Sequence, residues 1–175
     1  IYTYYTDESS AFINNDNNKY NVSDIEDFTG YNYIELNDNI PEFLDVDTSK
    51  SFEKYSELDS LGRAGVAFAN IGKDLMPTEK RGSIGMIKPT GWHTVKYDNV
   101  DGKYLYNRCH LIGYQLTGEN ANPKNLITCT RQINTKGMLD FENKVANYIK
   151  ETNNHVLYRV TPVYKDDNLL ATGVI

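Results

Sequence analysis

The sequence predicts an α+β fold with a mixed, mainly antiparallel sheet and one strand–loop–strand–helix unit at about residues 103–150. Short apolar or alternating runs bounded by Gly, Asn, Asp and Pro indicate strands. One long segment from about Gln132 has apolar residues at helical spacing, which indicates a single main helix. The two strands before that helix are joined by a loop rich in Gly, Asn and Pro at residues 117–124.

In the first half of the chain the signals are short. Residues 31–36 alternate large and polar side chains like a half-buried strand, and residues 37–41 are typical of a turn. Residues 65–71 are apolar and bounded by glycine, which predicts a buried strand. Residues 82–91 hold too many Gly and Pro residues for a helix, and residues 95–97 are predicted to form a strand.

In the second half, Asp101-Gly102 is a strong turn signal. Four strands are predicted, at residues 103–110, 125–130, 155–164 and 169–175. The apolar stripe of the helix is expected to consist of Met138, Phe141, Val145, Tyr148 and Ile149. The helix is expected to stop near Asn153.

The length of 175 residues suits one domain that buries its own core. We expect residues 1–30 to form an acidic arm or cap and residues 31–175 to form the folded domain. No run of eighteen apolar residues is present, so no transmembrane helix is expected. The start at Ile1 fits a secreted protein after removal of a signal peptide, and equally a shortened chain.

The net charge of −6 and the pI of about 5.0 at first argue against a polyanionic substrate. The distribution of charge changes this view. Residues 1–62 hold 14 acidic and 3 basic residues, whereas residues 63–144 hold 12 basic and 7 acidic ones. We therefore expect a basic working surface on an otherwise acidic protein. Two cysteines, Cys109 and Cys129, are either buried thiols or a cross-strand bridge.

His110, Asn134 and Glu142 have the residue types that metal-assisted hydrolysis of a phosphodiester requires. The reaction needs a base to activate water, and histidine titrates near neutral pH. It also needs positive charge at the phosphoryl oxygens, which Mg²⁺ supplies while taking only one or two protein oxygens. Asn134 can provide one oxygen, and Glu142, about 12 Å further along a regular helix, suits an outer position that orients metal-bound water.

These motifs resemble the DNA/RNA non-specific endonucleases of the ββα-metal (His-Me finger) superfamily, especially the Gram-positive branch of secreted and DNA-entry nucleases. The resemblance covers residues 31–175. It depends on the order and spacing of the segments at residues 33–37, 58–63, 80–85, 89–92, 107–116, 122–127 and 141–145, together with Asn134. It implies a secreted or cell-surface enzyme of a Gram-positive bacterium that cuts DNA, with RNA as a further substrate, and leaves 5′-phosphate ends.

The resemblance also implies a role for each matching residue. His110 corresponds to the general base, Asn134 to the magnesium ligand, and Glu142 to the acidic residue that supports the water shell of the ion. Asn125 corresponds to an active-site asparagine near the metal and the scissile phosphate. Arg81 corresponds to a phosphate-binding arginine, with Lys80 and Arg131 as weaker candidates for substrate binding. The implied cofactor is one Mg²⁺ ion, for which Mn²⁺ could substitute.

The chain departs from the family pattern at two positions. Asn107 stands where the family usually has aspartate, and Cys109 where it has glycine, which leaves open how His110 is oriented. Arg108 fits a structural ion pair as well as a catalytic role. The chain ends at residue 175, where relatives usually continue into further strand, so an incomplete C-terminal edge is expected.

Each site residue also has a simpler explanation. His110 alone could be a core histidine, Asn134 a helix N-cap, and Glu142 a solvated residue paired with Lys136 or Lys144. Three alternative functions stay open: a nuclease toxin domain held by an immunity protein, a non-catalytic secreted binding module whose acidic segment docks a partner, and an enzyme with a cysteine nucleophile. The sequence indicates neither the oligomeric state nor a membrane partner.

Overall fold

A computed structural model describes residues 30, 32–41, 43 and 45–175 of the chain. The predicted arm at residues 1–30 lies outside the described residues except for Gly30. These described residues form seven strands: β1 (Phe52–Tyr55), β2 (Ala67–Ile71), β3 (Tyr106–His110), β4 (Leu126–Thr130), β5 (Val156–Val160), β6 (Pro162–Tyr164) and β7 (Ala171–Val174). The helices are α1 (Tyr114–Thr117) and α2 (Leu139–Thr152), with π-helical turns at Ile133–Met138 and short 3₁₀ turns at Asn37–Asn39 and Pro123–Asn125. The α+β class is confirmed.

The described strands pair only in antiparallel fashion, in three small sheets ordered β1-β2-β5, β3-β4 and β6-β7. Every residue of β2 is buried, because β2 is the central strand of its sheet and its apolar run needs cover on both faces. The hydrophobic core joins β2, β3 and β4 to the buried face of α2. The predicted strand–loop–strand–helix unit is confirmed as β3, the connecting loop, β4 and the helical segment.

Two strand predictions were wrong. Residues 32–36 are not in a strand, and Tyr33 instead packs edge-on against Phe141, with 5.2 Å between ring centroids. The predicted strand at residues 95–97 is reduced to a single bridge between Lys96 and Tyr104. In both places the side-chain alternation is real, but a strand also needs a partner along its length, which the sequence pattern does not reveal. Strand β1 and helix α1 were not predicted.

The buried face of α2 differs from the predicted apolar stripe. The buried residues of α2 are Glu142, Ala146 and Ile149, whereas Phe141 and Tyr148 are 38% and 45% exposed. The predicted and the observed buried residues both have helical spacing. The observed buried face is turned about the helix axis relative to the predicted one, so that the Glu142 carboxyl group faces the core. Met138 and Ile149 are buried as predicted, and Val145 packs against the core. Glu142 was missed because periodicity ranks residues by hydrophobicity and therefore leaves out an acid on the core face.

The two cysteines form a disulfide that joins β3 to β4. Cys109 and Cys129 have a Cα–Cα distance of 5.9 Å, within the usual range for a disulfide. Cys109 directly precedes His110, and both sulfur-bearing residues are buried in the core. Of the two alternatives left open by the sequence, the structure has the cross-strand bridge. No helix in the described part of the chain is long and apolar enough to cross a membrane.

Candidate active site

His110 is the last residue of β3 and lies opposite Leu126 of β4. It is only 7% exposed. Its Nε2 lies 2.7 Å from the backbone carbonyl oxygen of Asn120. A carbonyl oxygen can only accept a hydrogen bond, so Nε2 carries the proton and donates it. In the neutral ring the lone pair is then on Nδ1, which fixes the tautomer that a general base requires.

The unprotonated nitrogen of His110, Nδ1, faces the guanidinium of Arg81, which can only donate to it. The distance from Arg81 Nη2 to His110 Nδ1 is 3.4 Å. Burial lowers the pKa of His110, the charge of Arg81 lowers it further, and the hydrogen bond to Asn120 opposes both effects. The imidazole is therefore neutral at pH 7. A neutral base beside a fixed positive charge is suited to take a proton from water next to an anionic substrate.

Asn120 is a residue that the sequence analysis did not identify. Besides its carbonyl, its side-chain nitrogen donates to the Ser83 carbonyl at 3.3 Å, which ties the His110 loop to the segment that carries Arg81. The sequence offers only a weak signal here, because the interaction with His110 uses the backbone and any residue type has a carbonyl. Because Asn107 replaces the usual aspartate of the family, the sequence left open how His110 is oriented. The Asn120 carbonyl orients the ring, and among the residues that the structure describes no carboxylate partner is involved.

Asn134 lies in the π-helical turns that precede α2. It is not an N-cap: the Thr130 hydroxyl accepts from the Ile133 backbone N–H at 3.3 Å, so Thr130 caps the helical segment. In the part of the chain that the structure describes, the Asn134 amide makes no hydrogen bond, so its oxygen is available to a ligand. Widened π-helical turns often occur at functional sites because they redirect single side chains.

A cavity of about 530 Å³ brings several of the predicted residues together. Asn134, Asn107 and Arg81 all line it. Since Arg81 also contacts His110, the predicted base and the predicted metal ligand lie on the same side of the molecule, around one guanidinium. Arg131 lines the cavity as well, whereas Lys80 is exposed beside Arg81 and does not line it.

Glu142 is 9% exposed and is not the solvated, lysine-paired residue of the simpler explanation. Its carboxyl group lies so close to Gly113 that a Cβ atom there would be 2.5 Å from Cδ and 2.8 Å from Oε1 of Glu142. Burial raises the pKa of Glu142 to about 7, against a hydrogen bond from Gln115 and the charge of Arg81. The charge of Arg81 thus acts on both Glu142 and His110.

Both polar atoms of the Asn125 side chain form a hydrogen bond to the protein backbone. Its Oδ1 accepts from the Ile112 backbone N–H at 2.8 Å, and its Nδ2 donates to the Ile112 carbonyl at 3.0 Å. It is fully buried. Asn125 therefore holds the chain that follows His110 against the start of β4, and its amide does not reach the cavity as a substrate-binding group would.

Arg108 makes no ion pair among the described residues. Its guanidinium stacks on the Trp92 ring, with 3.8 Å from Cζ to the ring centroid, and donates to the Gly85 and Ile87 carbonyls. These contacts attach the segment that carries Arg81 to β3. Arg131 is held more loosely, with a single 3.5 Å contact from Nε to Asp101. Among the described residues, Arg131 uses one of its five N–H donors, whereas Arg108 uses two and has Trp92 against one face of its guanidinium.

Arg81, Arg131 and the amide of Asn134 line the cavity. The neutral base His110 and the buried carboxyl group of Glu142 do not line it, but both are near enough to Arg81 for its charge to act on them. Among the described residues there is no cluster of three or more His, Cys, Asp or Glu side chains that could hold a metal ion. An ion bound here would take most of its ligands from water and substrate, as Mg²⁺ commonly does. This set of groups suits hydrolysis of a phosphate ester rather than a nucleophilic cysteine mechanism, since both cysteines are in the disulfide.

Several solved structures that are similar to this chain are nucleases. Metal-free NucA from Streptococcus agalactiae is similar over 97% of this chain and 82% of its own, with 28% identity and a TM-score of 0.73. NucA from the same species with magnesium bound is similar over 80% of this chain and 71% of its own, with 26% identity and a TM-score of 0.71. The Sda1 nuclease with a bound zinc ion is similar over 70% of this chain and 66% of its own, with 30% identity and a TM-score of 0.59.

A family model describes the same relationship from the sequence. The model of the DNA/RNA non-specific endonucleases matches residues 45–175, about three quarters of the chain. The match includes every predicted site residue from Lys80 to Glu142. The chain is therefore an endonuclease, and it belongs to the DNA/RNA non-specific endonuclease family.

Proposed function

We propose that the protein is a magnesium-dependent endonuclease that hydrolyses DNA and RNA without sequence preference and leaves 5′-phosphate ends. The observation that carries this proposal is the geometry of His110. Its Nε2–H is fixed on the Asn120 carbonyl and its Nδ1 lone pair is held beside Arg81. A phosphate bound by Arg81 would lie next to the atom that accepts the proton of the attacking water.

In the proposed reaction, His110 Nδ1 removes a proton from water as the oxygen forms a bond to phosphorus. The bond from phosphorus to O3′ breaks, the O3′ oxygen takes a proton from solvent, and the phosphate stays on the 5′ side of the product. Arg81 binds non-bridging oxygens, where negative charge accumulates. The imidazolium that forms keeps its hydrogen bond to Asn120, which stabilises the charged ring in its original orientation.

Asn134 and Glu142 are the residues that would hold the metal ion. The unpaired amide oxygen of Asn134 is a hard, neutral ligand of the type Mg²⁺ prefers, and Mn²⁺ would accept it too. Bound Mg²⁺ would supply positive charge at the phosphoryl oxygens. Glu142 would orient coordinated water from its position against Gly113. The magnesium and zinc ions named for the related NucA and Sda1 structures agree with a divalent ion in this chain.

The other predicted residues take supporting roles in this proposal. Asn125 positions the end of β3 and does not touch substrate. Lys80 and Arg131 bind phosphates on either side of the cleaved one, where contacts are redundant. The protein is proposed to act outside a Gram-positive cell. The Cys109–Cys129 disulfide supports this, because disulfides persist mainly in oxidising compartments.

A plasmid-cleavage assay tests the proposal. Cleavage is expected with Mg²⁺ or Mn²⁺ and not after chelation, and His110→Ala should lower the rate by about 10²–10⁴-fold. Asn134→Ala should lower it with an increased requirement for metal. His155→Ala and Asn147→Ala are matched controls, since both residues are exposed and outside the cavity. Undiminished cleavage by folded His110→Ala, or full activity in the presence of chelator, would refute the mechanism.

A further inference from the structure

The cavity next to Asn134 extends beyond the residues assigned to catalysis. At about 530 Å³ it is within the ~300–1,000 Å³ typical of sites for small molecules. Arg81, Asn107 and Asn134 account for one part of its wall. The remaining wall is aromatic and basic and includes Trp92, Tyr104 and Tyr106 with Arg131.

The aromatic part of the wall has a ring that is open to a ligand. Tyr104 is 45% exposed, and a bridge between Lys96 and Tyr104 holds its backbone in place. The Lys96 ammonium lies over one face of the Tyr104 ring, 4.7 Å from its centre, so a base would stack on the opposite face with a positive charge across the ring. Exposed aromatic rings next to cations are the platforms on which unpaired bases stack. Trp92 is less available, because Arg108 already covers one of its faces.

The basic part of the wall can bind a phosphate. Arg131 has one 3.5 Å contact, with Asp101, whose side chain is 88% exposed. An ion pair between solvent-exposed groups contributes little free energy, so Arg131 can exchange Asp101 for a phosphate at little cost. Arg81 and Arg131 line the same cavity, so two guanidinium groups face it from different segments of the chain. Successive phosphates of one strand could therefore bind to Arg81 and Arg131, with a base between them.

We propose that this cavity is a binding site for one unpaired nucleotide next to the cleaved phosphate, with its base on Tyr104 and its phosphate at Arg131. The inference rests on the nuclease function proposed above and adds a preference to it. A base within a duplex is stacked and paired, and it must leave the helix to reach Tyr104, which costs free energy. Single-stranded DNA and RNA avoid that cost, so they are the preferred substrates.

Binding can be measured without catalysis because Trp92, the single tryptophan of the chain, lines the cavity. The protein used is the His110→Ala variant, titrated with a four-nucleotide oligothymidylate while Trp92 fluorescence is recorded. We expect a saturable change in emission. Adding Tyr104→Ala should raise Kd about tenfold or more, whereas Tyr104→Phe keeps the ring and should bind normally. Arg131→Gln should raise Kd and reduce its salt dependence.

Tyr97→Ala is the matched control, because Tyr97 is similarly exposed at 51%, directly follows the Lys96–Tyr104 bridge and does not line the cavity. Equal Kd values for the Tyr97 and Tyr104 variants would overturn the proposal, as would an unchanged Trp92 signal at saturation. A blunt duplex that binds with the same dependence on Tyr104 would overturn the preference for unpaired bases. Failure of metal-dependent cleavage refutes the nuclease mechanism and leaves this binding measurement intact, so the two outcomes are distinguishable.

Discussion

Gly113→Ala is predicted to impair catalysis by displacing Glu142. The backbone of Gly113 has φ −61° and ψ 145°, a conformation that alanine adopts without strain. In the absence of a neighbour, the substitution would stabilise the protein by about 0.4–1 kcal/mol through the unfolded state. The neighbour is the Glu142 carboxyl group, whose Cδ would lie 2.5 Å from the new Cβ atom.

The size of the effect follows from that distance. Carbon atoms in contact lie about 3.5–4.0 Å apart, so the carboxyl group must retreat by about 1 Å or more. Displacement of a catalytic group by about 1 Å can lower the rate about 10²-fold, and loss of an outer-sphere contact to a metal site costs about 10–100-fold. We therefore expect kcat/KM to fall by about 10–100-fold while the protein stays folded.

The assay is a double-mutant cycle on kcat/KM with Glu142→Ala. Once the carboxylate is removed, Gly113→Ala should cause little further loss, because the group that it displaces is gone. Gly85→Ala is the control, since its Cβ would meet only Ser83 Oγ at 3.6 Å. Full activity of Gly113→Ala, or equal and additive losses from the two substitutions, would show that the close contact does not control the position of Glu142.

Two further predictions concern the pH profile and the disulfide. Burial lowers the pKa of His110, so this base stays unprotonated to below the usual histidine range, whereas burial raises the pKa of Glu142 to about 7. Because Glu142 orients metal-bound water only as a carboxylate, kcat/KM should decline as the pH falls through about 7. A profile that stays level well below pH 7 would contradict this. Reducing the Cys109–Cys129 bond, which closes a separation of 20 residues, should cost about 3 kcal/mol in urea unfolding. The Cys109→Ala/Cys129→Ala variant should not respond to reductant, and an unchanged midpoint of the reduced native protein would contradict the estimate.

The sequence predicted the central unit of the fold well, because that unit is built from local signals. The apolar run of β2, the strands that end in His110 and begin at Leu126, and the long helix each have their own periodicity and turn residues. Residues 32–36 and 95–97 show the limit of this approach. Their alternation is suitable for strands, but pairing depends on distant parts of the chain.

The sequence by itself determined the family, the types of residue in the site and their order along the chain, since these follow from motifs and spacing. Only the tertiary structure decided the state of each group. It supplied the Asn120 carbonyl that fixes the His110 tautomer, the Gly113 contact that holds Glu142 and the Ile112 backbone that occupies Asn125. The physical reason is that tautomer, burial and hydrogen-bond saturation depend on atoms brought together by folding. Several of those atoms belong to the backbone, whose donors and acceptors are the same in almost every residue.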